Sequence, residues 1–143
     1  MTNIYIGQYK NGRRFNRFNI IRYTTICLVL DYFCYLNSLQ RDEAVTLKTL
    51  IDMVFNKSSF RRTSINETIV QTAIINMNMM GLLYEVEDGY YAITDQGKIA
   101  YVNQTYHALA ANLYQAKASR NLSIIAVVVA IAGIFLSIIL QID

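Results

Sequence analysis

The 143-residue chain has no proline and no tryptophan, a single histidine and only two cysteines. The histidine, His107, stands in a helical stretch with no cysteine or acid at metal-ligand spacing, so a zinc-type centre is not expected. The six glycines are scattered and none builds a phosphate-binding loop, and no serine stands in a nucleophile elbow. Together these absences exclude the common aqueous catalytic constellations. The expectation is a protein that is not an enzyme and needs neither metal nor cofactor. Cys27 and Cys34 are seven residues apart, which on a helix is about two turns and too far for a disulfide between them; two buried thiols of a reduced cytosolic domain are expected. The chain opens on polar and basic residues with no short apolar run and cleavage site, so no signal peptide is expected. Acids are missing from residues 1 to 22, which carry Lys10, Arg13, Arg14, Arg17 and Arg22.

What the chain has in abundance is apolar surface at its end. Leu122 to Leu140 is nineteen residues without a charge, and the stretch extended to Ile142 forms about 30 Å of helix, the hydrocarbon thickness of a bilayer. Lys117 and Arg120 precede it and only Asp143 follows, so the positive-inside rule puts the preceding domain in the cytoplasm. A single-pass anchor of the inner (cytoplasmic) membrane is expected, with the span ending the chain. Ala116, Ser119, Ser123, Ala126, Ala130, Gly133 and Ser137 recur at alternating spacings of three and four. This seam of small residues allows close backbone approach between membrane helices and predicts a homo-oligomer, with a left-handed crossing from its 3.5-residue period.

About 120 residues precede the span, enough for one small domain. Three parts are expected: a basic arm over 1–19, a cytoplasmic domain over 20–118 and the membrane helix over 119–143. Ile20 to Leu36 reads as a helix buried on most sides; Arg22 and Asp31 make the alternative, a second membrane segment, costly. Val45, Leu47, Leu50, Ile51, Val54 and Phe55 form the stripe of a short amphipathic helix. A further helix starts at Ser64 as N-cap, with Glu67 closing a capping box, and ends at Gly81 with Leu82 packing back on its last turn. Asp88-Gly89 predicts a two-residue hairpin turn that pairs Glu87 with Tyr90, Val86 with Tyr91 and Tyr84 with Ile93. Thr94 or Asp95 then caps a last long helix that runs toward the span. The eleven tyrosines suit a core and an interface, since each offers apolar area with a polar tip.

This order of elements resembles the winged-helix superfamily, and MarR-like regulators in particular. The likeness lies in a helix ending in MMGLL, a hairpin, and ITDQGKIAY leading into the next helix, and it extends over roughly Ile20 to Asn112. The fold it implies is mainly α with a small β-hairpin wing, here followed by one C-terminal transmembrane helix. It also implies that Ile65 to Met80 is the recognition helix and Tyr84 to Tyr91 the wing. Such domains serve DNA binding and protein binding alike.

Charge separates the two uses. Phosphate neutralisation supplies most DNA affinity, but the helix from Ile65 to Met80 has no lysine or arginine, and the wing carries Glu85, Glu87 and Asp88. An acidic wing with Tyr90 beside it suits a protein partner better. Lys57, Arg61 and Arg62 before that helix, and Arg13, Arg14 and Arg17 interleaved with Phe15 and Phe18, remain as contacts for phosphate or for anionic lipid headgroups. The expected function is therefore a membrane-anchored effector or adaptor that binds a protein partner, with lipid around its helix. In layout alone it is similar to small prokaryotic toxins and phage-defence effectors. The alternative is a membrane-tethered transcription regulator on DNA.

Overall fold

In a computed structural model, residues 4–41 and 43–140 are described, with side chains over 17–41, 43–135 and at 137. The chain divides into two compact units, Met1–Ala111 and Asn112–Asp143. In the first, α1 (Ile4–Ser38) is followed by β1 (Val45–Thr46), α2 (Leu47–Lys57), α3 (Ser64–Met79), β2 (Leu83–Glu87), β3 (Tyr90–Ile93) and α4 (Asp95–Val102). The last helix, α5 (Thr105–Leu140), begins in this unit and forms the second. The strands make one antiparallel sheet in the order β1-β3-β2. A strand between the first and second helices, paired with the far arm of a hairpin that follows the third, is a winged-helix-like topology.

The segment from Ile20 to Leu36 is the centre of this unit. Thr25, Ile26, Val29 and Leu30 are fully buried, against Leu50 and Val54 of α2, Val70, Ile74 and Met77 of α3 and Leu83 of the sheet. Its apolar surface is covered by protein rather than lipid. The helix itself starts at Ile4, not near Ile20, so the basic arm is part of α1.

Four local expectations are corrected. Val45 is not in α2: Val45 and Thr46 pair with Tyr91 and Tyr90 of β3, and Thr46 caps α2 by accepting from the Thr49 amide at 3.2 Å. A β-branched pair beside an open strand edge gains more from the ladder than from another helical turn. The cap of α3 is Thr63, whose hydroxyl accepts from the Asn66 amide; Ser64 is the first helical residue. In the wing, Glu87 pairs with Tyr90, but Glu85 then pairs with Tyr91, Tyr84 with Ala92 and Leu83 with Ile93. Val86 is the extra residue of a bulge. The reason is burial: the unbulged register turns Leu83 outward and Tyr84 and Val86 inward, whereas Leu83 is 1 % exposed and the other two about half exposed. Finally, the last helix is broken. α4 ends at the C-cap Asn103 and Gln104 takes φ +55° before α5 begins.

Other signals hold. Gly81 has φ +72°, and the Leu82 amide reaches back to the Met77 carbonyl at 2.9 Å, with Leu82 buried. Thr94 caps α4 by accepting from the Gly97 amide at 3.0 Å while its hydroxyl donates to the Gly81 carbonyl. A Cβ on Gly97 would overlap the Leu82 carbonyl oxygen, so the glycine of ITDQG lets α4 close on the end of α3.

Candidate interaction surfaces

The outer face of α3 follows from what its inner face buries. Val70, Ala73, Ile74 and Met77 pack inward, leaving Ile65, Thr68, Thr72, Ile75 and Met79 along the solvent side. Ile65 and Met79 are about three-quarters exposed. This strip has no charged residue. α3 leads into β2, where Tyr84, Val86 and Tyr90 of the wing are also exposed. Among the wing acids, Glu85 accepts a hydrogen bond from the Gly89 amide at 2.8 Å and so helps fix the turn. Glu87 and Asp88 are exposed at the tip. Burial raises the Tyr91 phenol pKa, with Glu85 and Asp88 adding to the effect. From Ile65 to Gly97 the chain has no cation.

The cations gather at the opposite end of α3. Arg62 is already engaged: it reaches Asp52 at 2.9 Å and Glu67 at 3.4 Å and lies 5.3 Å over the Phe55 ring. Hydrogen bonds to Glu67 first and Asp52 next raise its pKa above the ordinary arginine value. Its role is to fasten the α2–α3 turn. Arg17 donates to Asn66 Oδ1 at 3.4 Å, and Asn66 Nδ2 donates to the Arg61 carbonyl at 2.7 Å. Asn66, 3 % exposed, thus joins α1 to the start of α3. The Arg61 and Lys57 side chains are exposed. The side chains of Arg13 and Arg14 lie outside the described residues, though both positions are on α1.

The second unit is the exposed part of α5. A stretch from Thr105 to Phe135 is long and apolar enough to cross a membrane, and its most apolar part is not buried by protein at all. Among the described residues there is therefore one candidate membrane-spanning helix, near the C-terminal end. All seven seam residues are exposed on it. Ser123 donates to the Ser119 carbonyl at 3.0 Å and Ser137 to the Gly133 carbonyl at 2.9 Å, so both hydroxyls are satisfied within the helix. A Cβ on Gly133 would meet nothing within 4 Å, so no contact within the chain requires glycine there.

Two further features were not legible in the sequence. His107 Nε2 lies 2.9 Å from Asp31 Oδ1, and its ring stands edge-on to Tyr101 at 5.7 Å. The partners are 76 residues apart, so no local pattern signals the pair. A groove of about 420 Å³ lies where the chain after α1, the sheet and the start of α4 meet. Arg41 and Lys98 line it together with Glu43 and Asp95, so its charges balance. Both cysteines are free: burial, reinforced by Asp31, pushes the Cys27 thiol up to about 12 and raises that of Cys34. Among the described residues no group of three or more His, Cys, Asp or Glu could hold a metal ion. No protein-family model matches the chain, and neither a curated protein nor a solved structure matches it significantly.

Proposed function

We propose that this protein is a membrane-anchored, non-enzymatic effector or adaptor of winged-helix, MarR-like type. Its α3 face and wing bind a protein partner, and α5 self-associates in the bilayer through the seam from Ala116 to Ser137. The observation that carries this reading is the uncharged, partly apolar strip on α3 together with the acidic tip of the wing that follows it in the chain. A DNA reader needs cations on that surface, whereas burial of aliphatic and aromatic groups behind a polar rim is how protein partners are held. The free Gly133 and the internally satisfied serines support close helix packing in lipid. Lys117 and Arg120 favour a cytoplasmic position for the domain. In this reading the protein acts at the inner membrane, as toxins and phage-defence effectors of similar layout do.

The test is Ala130→Leu in the full chain in detergent. The oligomer mass should fall, and an unchanged mass would sink the self-association. A second reading, a tethered regulator on DNA, draws on Arg17 and Arg61 at the start of α3, where phosphates are met in such folds. Gel-shift titration with duplex DNA separates the two. Tight binding that weakens steeply with salt would favour the regulator.

A further inference from the structure

We infer that the groove between the chain after α1, the sheet and the start of α4 binds a small zwitterion with an apolar side group, of the free amino-acid kind. This goes beyond the reading above and does not depend on how the α3 face is used.

The walls of the groove are held by backbone chemistry. Gln40 takes φ +58° and the Arg41 amide returns to the Leu36 carbonyl at 3.0 Å, which fastens the turn carrying Arg41 to the end of α1. At α4, the Thr94 cap and the close approach of Gly97 to the Leu82 carbonyl fix the first turn. Asp95 and Lys98 stand three residues apart on that turn and both line the groove. The sheet contributes Tyr84 and its cross-strand partner Ala92, with Ile93 next to it. The enclosed space is about 420 Å³, inside the roughly 300–1,000 Å³ of small-molecule sites. Walls fixed in advance lower the ordering cost of binding.

The lining decides the class of ligand. Phe33, 3 % exposed, supplies an apolar surface together with Ala92, Ile93 and the half-exposed Tyr84 ring. Around it stand two cations, Arg41 and Lys98, and two acids, Glu43 and Asp95. The Thr94 hydroxyl is already engaged with the Gly81 carbonyl and the Gly97 amide, so the charges are what a ligand meets. Among the described residues no ion pair closes Arg41 onto Glu43 or Asp95, whereas Asp31, Asp52, Arg62 and Glu67 elsewhere are all engaged. An anion alone would sit against two acids, and a cation alone against two cations. A neutral apolar molecule would strip water from all four charges and return nothing. A molecule with a carboxylate for Arg41 and Lys98, an ammonium for Glu43 and Asp95, and an apolar group for Phe33 and Ile93 answers every part of the lining.

The experiment uses the full chain in detergent. Each common L-amino acid is added at about 10 mM, ten times a Kd of ~1 mM, and the unfolding midpoint is followed by scanning calorimetry. At least one with an apolar side chain should raise the midpoint and bind saturably. Its decarboxylated amine and its deaminated acid should each bind about tenfold more weakly, because each lacks one charged contact. Arg41→Gln should weaken the amino acid by a similar factor without weakening the amine. Asp95→Asn should weaken the amino acid without weakening the deaminated acid. A folding defect would lose both probes of a pair, so the comparison isolates the contact. Lys57→Gln, at the end of α2, should change none of the affinities. The inference is overturned if no apolar amino acid raises the midpoint, or if the amine or the acid binds as well as its parent. It is also overturned if Arg41→Gln and Asp95→Asn leave the parent's affinity intact, or if Lys57→Gln lowers it as much as they do.

Discussion

The residues from Ile20 to Leu36 and from Leu122 to Phe135 are both helical and both dominated by aliphatic side chains, yet their surroundings are opposite. In the first, Leu30 is fully buried by protein; in the second, Val128 is 60 % exposed. Hydropathy alone does not separate them. What does is the polar content. Arg22 and Asp31 interrupt the first stretch, and each has a neighbour in the fold: Arg22 lies over the Tyr23 ring at 5.8 Å and Asp31 meets His107 at 2.9 Å. The second carries one polar side chain, Ser123, whose hydroxyl donates to the Ser119 carbonyl of its own helix. An apolar helix whose charges find partners suits a protein core, and an uncharged one left uncovered by protein suits a bilayer.

Shortening one aliphatic side chain in each helix gives the largest contrast. Leu30→Ala should lower the stability of the domain by about 2–5 kcal/mol, because the cavity forms among close-packed neighbours. Ile125→Ala, an equal or larger truncation on α5, should leave the same unfolding transition within about 0.5 kcal/mol. Urea unfolding of the full chain in detergent, followed by tyrosine fluorescence, reads both. Equal losses would mean that the second helix is also packed into the domain.

The next effect reverses the sites. Val128→Arg places a charge near the centre of the apolar stretch and should cost about 2.5–3.5 kcal/mol of insertion free energy. The protein should shift from the membrane to the aqueous or aggregated fraction on cell fractionation, with the unfolding midpoint of the domain unchanged. Retention in the membrane at wild-type level would refute the span.

The same contrast decides what sequence reasoning reaches. Elements set by local chemistry were legible: the glycine end of α3, the Thr94 cap, the position of the wing and the apolar span. Elements set by distant partners were not. β1 is two residues long and is a strand only because Tyr90 and Tyr91 lie beside it. The bulge at Val86 depends on Leu83 finding the core. The break before α5 falls at Asn103 and Gln104, with neither glycine nor proline to mark it. Among the candidate site residues, the acidic wing and the uncharged α3 were readable from composition. The engagement of Arg62 with Asp52 and Glu67 was not, since Asp52 is ten residues away across a turn.

A smaller test concerns the charge inside the first helix. Asp31→Asn and His107→Ala should each cost about 1 kcal/mol, since the pair is partly exposed, and a double-mutant cycle should return a coupling of about 0.5–1 kcal/mol. Zero coupling would make Asp31 a tolerated charge rather than a partnered one.

The smallest effect, on pH, follows from Cys27 on the same face. Burial first and Asp31 second raise its thiol from an ordinary 9.0 to about 12. The folded chain thus keeps the proton that the unfolded chain releases. The contribution to stability is whole below 9.0 and is lost as pH rises through about 12. Stability should therefore decline over that window, and Cys27→Ala should flatten the decline while lowering stability at neutral pH by a constant amount. Asp31→Asn removes the second cause, so it should bring the onset of Cys27 alkylation by iodoacetamide to lower pH without removing the shift due to burial. An onset that stays put in Asp31→Asn would mean that burial alone sets the thiol, and that Asp31 acts only on His107.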